Sequence, residues 1–392
     1  MMIFGISNFP GISFNPASPF KFLIGPFYWL DRHLFHTGYN PSTHEAFPQD
    51  NHFGVVFYLS LVLLAVIGTL VWSLLDRKRQ QYDRLLFWFR VYLRYVLAMI
   101  MFEYGVIKFI PVQMFYPSVV DLLTPLGEQT RFKILWNFMG VSPGYMVLTG
   151  LSEMAGSLLL LNRRSVVLGY LLLVGVLTNV VAFNLLYNVP VKMFSVQLLI
   201  YTLFLVAPYV SRLFRLFFGG QAVALAEPVY RFFSKRKRYQ LFGVLTAVPL
   251  IFFFLVTVGT FIRYKRQQDM TRHEKLYDVN SFVAGPLLKD TLPPLLTDAF
   301  RWKRLAFAYS KYAVIFDMKD KKDFYECDAD SSRQTFKLHD GSDSGVFHYT
   351  YSPGDQLQLL GKWKGRDIKV LLQPVSIDSM AVNKERAKWV LD

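Results

Sequence analysis

The sequence predicts an α-helical integral membrane protein of about six transmembrane helices that ends in an antiparallel β-barrel or β-sandwich domain. Hydrophobic residues make up 53% of the 392 residues and charged residues only 18%, which is too apolar for an ordinary soluble domain. Six stretches are long and apolar enough to cross a bilayer, which takes about 20 helical residues. The last third of the chain instead shows short alternating runs separated by turn residues.

The six apolar stretches define a helical domain of residues 53–262, which follows an N-terminal extracytoplasmic or interfacial segment of residues 1–52. In chain order the stretches are Phe53–Leu75, Leu85–Val112, Pro143–Leu161, Ser165–Tyr187, Val191–Tyr209 and Gln240–Ile262. Within the N-terminal segment, Phe20–Leu30 is too short to span and rich in aromatic residues, which indicates an interfacial helix or a re-entrant element.

Charged residues between the spans predict the orientation. Lys and Arg concentrate in Asp76–Arg84, Asn162–Arg164 and Val210–Tyr239, and the loops on the opposite side carry fewer of them. By the positive-inside rule, this distribution predicts a multi-pass membrane protein with both termini outside the cytoplasm. The basic run Arg263–Arg266 after the last span favours the opposite orientation.

Two segments of the last basic loop mix aromatic and basic residues. Arg212–Phe218 has the composition of a surface helix on an anionic leaflet. Tyr230–Tyr239 fits either a surface helix or a solvated loop with a stop-transfer charge cluster. We expect both segments to lie at the cytoplasmic surface.

Residues 277–392 predict a C-terminal β-domain, joined to the helices by a linker of residues 263–276. Five of its short alternating runs are Ala313–Met318, Thr335–Leu338, Val346–Tyr351, Gln356–Leu360 and Ile368–Leu372. Gly, Asp and Ser clusters separate these runs, which predicts an antiparallel meander of about eight strands closed into a small barrel or sandwich. Trp302, Tyr351 and Trp363 are expected to fill its core rather than to form a ligand cage.

The composition excludes several classes of site. Cys327 is the only cysteine, so an intrachain disulfide and a cysteine-ligated iron–sulfur cluster are excluded. All seven histidines lie outside the apolar stretches, which excludes an intramembrane bis-histidine haem. The net charge of +15 comes from basic residues beside the spans and without a nucleic-acid motif, so it indicates topology signals and lipid contacts rather than nucleic acid.

Two polar clusters could bind a metal ion, but a simpler interpretation fits each. His33 and His36 lie near Asp31 at i, i+3 spacing, within a segment typical of headgroup-level aromatic helices. The aspartates that crowd one part of the β-domain lack the Gly turn and the bidentate Glu of a calcium loop, so we expect solvated turns. These aspartates are Asp317, Asp320, Asp323, Asp328 and Asp330. We therefore expect no metal site.

Glu103 and Glu153 lie well inside predicted spans, roughly 13 and 15 Å from the outer ends at the helical rise per residue. A charge at that depth costs about 2.5 kcal/mol or more on insertion scales, so such residues point to a function. Lys108 is poorly angled for a pair with Glu103 on the same helix. Its long stem could instead reach Glu153 on the next span.

If these helices form a bundle, the outer half of the bilayer holds a polar pocket in which two carboxylates lie beneath two lysines, flanked by amides and tyrosines. The predicted pocket residues are Arg94, Glu103, Tyr104, Lys108, Glu153, Asn179, Asn184, Tyr187, Lys192 and Gln197. The competing interpretation is structural, because polar side chains often join helices and glycines such as Gly150 and Gly156 indicate close packing. We favour a functional or folding-critical Lys108–Glu153 pair and a structural role for the single amides.

Residues 94–209 resemble the DoxX family of small four-helix membrane proteins, which implies a four-helix core at residues 85–209. The resemblance rests on Glu103-Tyr-Gly105-x-x-Lys108, Gly150-x-x-Glu153-x-x-Gly156, the Arg163-Arg164 turn, Thr178-Asn179 and the stretch Tyr187–Lys192. Longer bacterial DoxX-like proteins add a first span and an outer β-domain, and Leu292–Trp302 and Leu359–Gly365 are similar to parts of theirs. The family includes a quinone-reducing thiosulfate oxidase subunit.

Three functions are compatible with these residues. The first is a quinone-linked redox subunit whose pocket binds the quinone and whose glutamates carry protons; a partner would supply electrons, since no cofactor motif is evident in the chain. The second is a non-enzymatic accessory or assembly subunit of a cell-envelope complex, with the β-domain as its docking surface for a protein partner. The third is a carrier for a lipid or amphiphile, which the lack of a visible inverted repeat disfavours. We expect the pocket to bind a quinone or a lipid.

Overall fold

The computed structural model describes residues 24–38, 50–77, 79, 81–220, 235–271, 274–285, 290–291, 293–308, 312–330, 332–340 and 344–384. The chain divides into two compact units. The first comprises Met1–Met114 and Thr130–Tyr264, and the second comprises Phe115–Gln129 and Lys265–Asp392. The predicted segments Phe20–Leu30 and Tyr230–Tyr239 lie partly outside the described residues.

Helices build the first unit. In chain order they are α1 Ile24–Leu30, α2 His52–Leu75, α3 Asp83–Phe109, α5 Arg131–Val141, α6 Pro143–Leu161, α7 Val166–Leu186, α8 Lys192–Val206, α9 Val210–Phe218 and α10 Lys235–Thr271; the short α4 Val119–Leu122 belongs to the second unit. A π-helical turn, Asp31–Phe35, follows α1. The exposed rings of Tyr28 and Trp29 on α1 fit the aromatic character expected of this segment.

Six stretches of the described helices are long and apolar enough to cross a membrane, which confirms the predicted number of spans. Four of them are α2, α3, α6 and α7. The fifth is Lys192–Phe218, which joins α8 and α9, and the sixth is Gly243–Gln268 within α10. The structure therefore has the span content of a multi-pass membrane protein.

Three helix ends differ from the prediction. The helix α3 ends at Phe109 rather than Val112, because Ile110 precedes a proline and adopts an extended conformation. Arg212–Phe218 continues the fifth span through a 3₁₀ turn instead of standing apart from it. The helix α10 runs to Thr271, into the predicted linker, because residues 263–271 contain neither Gly nor Pro.

Eight strands close into an antiparallel barrel in the described part of the second unit, as predicted. Together with the short β2, the described strands of this unit are β1 Lys275–Ala284, β2 Asp290–Thr291, β3 Trp302–Ala308, β4 Tyr312–Asp317, β5 Lys322–Asp330, β6 Thr335–His339, β7 Ser344–Ser352, β8 Gln356–Trp363 and β9 Arg366–Val375. Each strand from β3 to β8 pairs with the next one along the chain, and β1 pairs with both β3 and β9. The two-residue β2 is attached to the end of β1 and does not take part in the closure.

Alternating side chains fill the barrel. Trp302 and Trp363 are each 2% exposed and pack edge-to-face with ring centroids 5.3 Å apart, which confirms their predicted place in the core. Phe347 is fully buried beside both. The prediction for Tyr351 was wrong: this side chain is 57% exposed, because it lies near the end of β7 where the packed interior stops.

The segment Phe115–Gln129 packs on the outer face of the barrel. A capping box formed by Ser118 and Asp121 starts α4. Val119 and Val120 of this helix join a buried cluster with strand residues such as Val314. The sequence places two adjacent valines here, and the barrel supplies the surface that buries them.

The aspartates of the β-domain lie in turns and ion pairs. Asp317 accepts hydrogen bonds from the backbone N–H groups of Lys319 and Lys321 at 2.8 and 2.9 Å. Asp320 pairs with Lys303 at 2.6 Å. The described residues contain no group of three or more His, Cys, Asp or Glu that could hold a metal ion. The solvated-turn interpretation accounts for these contacts.

Candidate functional site

A cavity of about 320 Å³ lies in the helical bundle among α3, α6, α7 and α8, with α5 on its side. Its lining comes from the C-terminal half of α3, the N-terminal half of α6, the C-terminal half of α7 and the start of α8. These four helix portions lie at one end of the bundle. Most of the lining is apolar, with a few polar side chains that converge from different helices.

Half of the predicted pocket residues line this cavity. They are Tyr104 and Lys108 from α3, Glu153 from α6, and Asn179 and Asn184 from α7. Asn184 is 7% exposed, whereas Asn179 lies on the exposed surface of α7 and borders the cavity from there. These five side chains therefore border the same cavity.

The Lys108–Glu153 ion pair is the most polar feature of the cavity wall. Lys108 Nζ donates to both carboxylate oxygens of Glu153, at 2.8 and 2.7 Å. The side chains are only 9% and 3% exposed. Buried charges of this kind require each other, because either one alone would remain desolvated without compensation.

Glycines bring the two helices close enough for this pair to form. A Cβ atom built on Gly150 would lie 2.6 Å from the backbone N of Phe109 and 3.0 Å from Cβ of Lys108. A Cβ atom on Gly105 would lie 2.8 Å from the carbonyl oxygen of Gly150. The backbones of α3 and α6 are therefore in contact at these residues, as small residues allow in membrane bundles. The interface continues along the helices, where Ser157 Oγ donates to the carbonyl of Ala98 at 2.6 Å.

Two further side chains complete the polar edge of the cavity. Lys108 Nζ lies 5.5 Å from the ring centroid of Tyr104, within range of a cation–π interaction. Gln113, just after α3, also lines the cavity, and its buried Oε1 accepts no hydrogen bond from any described residue. Thus donors and an acceptor face the same apolar space.

Arg94 and Glu103 lie on α3 but do not line the cavity. Arg94 is 14 residues from Lys108, roughly 21 Å along the helix. Its guanidinium lies 4.9 Å from the ring centroid of Tyr95. Glu103 is buried at 5% exposure, yet the turn of α3 directs it away from the face that Tyr104 and Lys108 present to the cavity. The predicted pair of carboxylates in one pocket is therefore not observed.

The remaining three predicted residues contact other side chains of the bundle and do not line the cavity. Lys192 Nζ lies 3.4 Å from the carboxylate of Asp50, which also accepts from the backbone N–H of Lys192 at 2.7 Å. Gln197 accepts a hydrogen bond from Tyr58 at 3.2 Å and so joins α8 to α2. Tyr187 packs its ring on Phe183 beside the cavity. These contacts fit the structural interpretation of single polar residues.

The helix α5 was not among the predicted elements, yet it contributes Leu135, Trp136 and Met139 to the cavity. The signal was present: Phe132, Leu135, Trp136 and Met139 have the i, i+3, i+4, i+7 spacing of an amphipathic helix. Thr130 supplies the N-cap, because its hydroxyl accepts from the backbone N–H of Lys133 at 3.2 Å. The segment is too short to span a membrane, so the length of apolar stretches does not indicate it.

Comparison of the chain with protein-family models, with curated proteins and with solved structures finds no match. The resemblance to the DoxX family therefore remains a prediction from the residues quoted above.

Proposed function

We propose that the helical bundle binds a neutral amphiphile of the quinone class in the cavity between α3, α6, α7 and α8. The observation that carries this proposal is the buried Lys108–Glu153 pair in the wall of an otherwise mostly apolar cavity. Small-molecule sites typically combine such an apolar lining with a few placed polar groups. The reaction, if the bound molecule undergoes one, would need an electron donor from a partner protein.

The charge of the cavity favours a neutral ligand. Among the described residues that line it, Lys108 and Glu153 are the only charged side chains, and they neutralise each other. A ligand with a net charge would be left uncompensated there, at a cost of several kcal/mol per ion. A quinone or quinol head has no net charge, whereas the head of an anionic phospholipid does.

The size and the polar groups of the cavity favour a compact ring. A volume of about 320 Å³ lies at the lower end of the range of small-molecule pockets, which runs from about 300 to 1,000 Å³. Lys108 can donate to a ring carbonyl, and Gln113 Oε1 can accept from a quinol hydroxyl. The exposed apolar surface of α6 and α7 next to Asn179 leaves a route for the isoprenoid or alkyl tail into the bilayer.

The family resemblance and the loop charges support the same proposal. The DoxX family, which residues 94–209 resemble, includes a quinone-reducing subunit. We further propose that the protein resides in the bacterial inner membrane with its C-terminal domain in the periplasm. The basic loops of the sequence favour this orientation, and it would place the cavity in the outer half of the bilayer.

Trp136 offers a direct test, because it lines the cavity and quinones quench indole fluorescence. The protein is placed in nanodiscs free of quinone and titrated with a benzoquinone that carries a decyl tail. The difference between wild type and Trp136→Phe isolates the signal of this one indole. We expect saturable quenching, which Val180→Phe weakens at least tenfold by filling the cavity. The matched control is Leu168→Phe, on the exposed surface of the same helix.

Mass spectrometry of an organic extract of the purified protein supplies a second readout. A stoichiometric quinone supports the proposal. Quenching that is unsaturable, or equal in the Val180→Phe and Leu168→Phe variants, would show that the probe merely partitions into lipid and would contradict it. A preparation without quinone but with a stoichiometric second protein would instead favour the accessory-subunit function.

A further inference from the structure

The open end of the β-barrel forms a second cavity, of about 300 Å³, that we call the aromatic cup. The rings that line it are Tyr277, Phe307, Tyr312, Phe336, Tyr349 and Tyr351. They come from β1, β3, β4, β6 and β7, so the cup is a feature of the barrel as a whole. It is independent of the helical cavity described above.

Five of these rings form a closed circuit around the cup. The ring of Phe307 lies 6.1 Å from Tyr277 and 6.2 Å from Phe336. Tyr349 lies 6.2 Å from Phe336 and 5.9 Å from Tyr351. A hydrogen bond between the hydroxyl groups of Tyr351 and Tyr277 closes the circuit. Rings at these separations present both faces and edges to a guest.

The packed core ends directly beneath the cup. Phe336 is 4% exposed and stacks on the buried Phe347 with ring centroids 5.2 Å apart. At the rim, by contrast, Tyr312 and Tyr351 are 40% and 57% exposed. Four tyrosine rings thus surround an opening whose floor is apolar, which is the arrangement expected of a site for a flat, mostly apolar molecule.

The polar groups of the cup limit the ligand further. Among the described residues that line it, Lys275 is the only charged side chain. Cages of aromatic rings also bind organic cations, but the ammonium group of Lys275 repels a cation at this site. The adjoining open groove carries Glu274, Asp355 and Asp378 outside the cup. A neutral or anionic guest therefore fits the cup better than a cationic one.

The tyrosine hydroxyl groups are available as donors. Burial, together with the neighbouring Tyr351 and Asp355, raises the pKa of Tyr277 to about 12, so its phenol stays protonated. Because Tyr277 hydrogen-bonds to Tyr351, the hydroxyl hydrogen of Tyr351 can turn to a guest. We propose that the aromatic cup binds an aromatic molecule of one or two rings that carries a hydrogen-bond acceptor, such as a carboxylate or a carbonyl.

Cys327 lines the cup and is the only cysteine of the chain, so it reports on occupancy. Burial and the nearby Asp328 raise the pKa of this thiol to about 11, and labelling is therefore run at mildly alkaline pH. The full-length protein in nanodiscs is labelled with a thiol reagent in the presence of 1-naphthoate. We expect the labelling rate to fall about tenfold when naphthoate reaches about nine times its Kd, because only the free protein reacts.

Two neighbouring positions on β5 supply a matched pair of variants. Ala329 lines the cup, and Ala329→Phe fills it, so naphthoate should no longer slow the labelling. Asp328 points to the other face of the strand, and Asp328→Phe should retain the protection of the wild type. Tyr351→Ala, at an exposed rim position, breaks the ring circuit without filling the cup and should lower the affinity for naphthoate several-fold.

The charge of the guest is tested with Lys275→Gln. This variant should lower the affinity for naphthoate and leave the affinity for the neutral analogue 2-naphthol unchanged. Protection by benzyltrimethylammonium but not by naphthoate would overturn the proposal, since the cup would then bind cations. Equal protection in Ala329→Phe and Asp328→Phe would also overturn it, because the guest would lie elsewhere, and so would the absence of protection in the wild type.

Discussion

Two lysine–carboxylate pairs in this protein have the same chemistry and nearly the same length but different surroundings. Lys108 and Glu153 meet at 2.7 Å between two helices, and their side chains are 9% and 3% exposed. Lys303 and Asp320 meet at 2.6 Å on the barrel surface, and their side chains are 33% and 45% exposed. Distance alone would rank the two pairs as equals.

The surroundings make them unequal. Around the barrel pair, water solvates each charge whether or not its partner is present, so such pairs contribute about 0–1 kcal/mol. Inside the bundle, each charge depends chiefly on the other to compensate its lost hydration, so removal of one partner costs about 3–5 kcal/mol. The two charges of the helical pair therefore require each other, whereas each charge of the barrel pair is stable alone.

The largest expected effect follows from removing one charge of the helical pair. Lys108→Ala or Glu153→Ala should destabilise the bundle by about 3–5 kcal/mol, because the remaining charge is buried alone. The measurement is the thermal unfolding midpoint of the purified protein, together with the yield of monodisperse protein. The double variant Lys108→Met with Glu153→Leu should recover most of the stability, since neither charge is then stranded.

The double variant also separates structure from function. If folding returns and quinone binding does not, the pair belongs to the binding site. If both return, the pair serves only the fold. Single variants that behave like the wild type would show that the two side chains do not meet, and the proposed cavity chemistry would fail with them.

The sequence was sufficient to predict the spans, the barrel and the Lys108–Glu153 contact. An apolar stretch of spanning length predicts a transmembrane helix, and a run of short alternating segments predicts an antiparallel sheet. The contact between the two charged residues followed from their similar depth and the reach of a lysine stem. The spans and strands follow from the local sequence, and the contact follows from the depth of the two residues in the bilayer.

The sequence did not predict which five of the ten polar residues line the cavity and which five lie elsewhere. The helix α8 is apolar on most of its circumference, so its hydrophobic pattern does not predict which face meets which neighbour. In the structure, Gln197 contacts Tyr58 on α2, whereas Ser195 and Leu198 line the cavity. Likewise, the partner of Lys192 is Asp50, more than a hundred residues away in the chain. Such pairings depend on how helices rotate against each other, which only the packed bundle determines.

A smaller effect is expected from Gly150, which lets the buried pair form. In Gly150→Ala, the added methyl group would lie 2.6 Å from backbone atoms of α3, which cannot move aside as a flexible side chain would. We expect a loss of about 1–3 kcal/mol through overpacking, and a lower quinone affinity because α3 and α6 separate. The measurements are thermal unfolding and Trp136 quenching.

Gly175→Ala in α7 is the control for this effect, because a Cβ atom there would meet no atom within 4 Å. It should leave stability unchanged or raise it slightly, since alanine favours the helix over glycine by about 0.5–1 kcal/mol. An equal loss in both variants would mean that the close approach at Gly150 is not what holds the two charges together.

The smallest effect is expected on the barrel surface. Lys303→Ala should change stability by less than about 1 kcal/mol, because Asp320 remains solvated when its partner is removed. Added salt should weaken the wild-type pair further, since a Debye length of about 10 Å at 0.1 M screens exposed charges. Unfolding midpoints of wild type and variant should therefore converge at high salt, while those of wild type and Lys108→Ala stay apart. A loss in Lys303→Ala as large as in Lys108→Ala would contradict the view that solvent, rather than geometry, separates the two pairs.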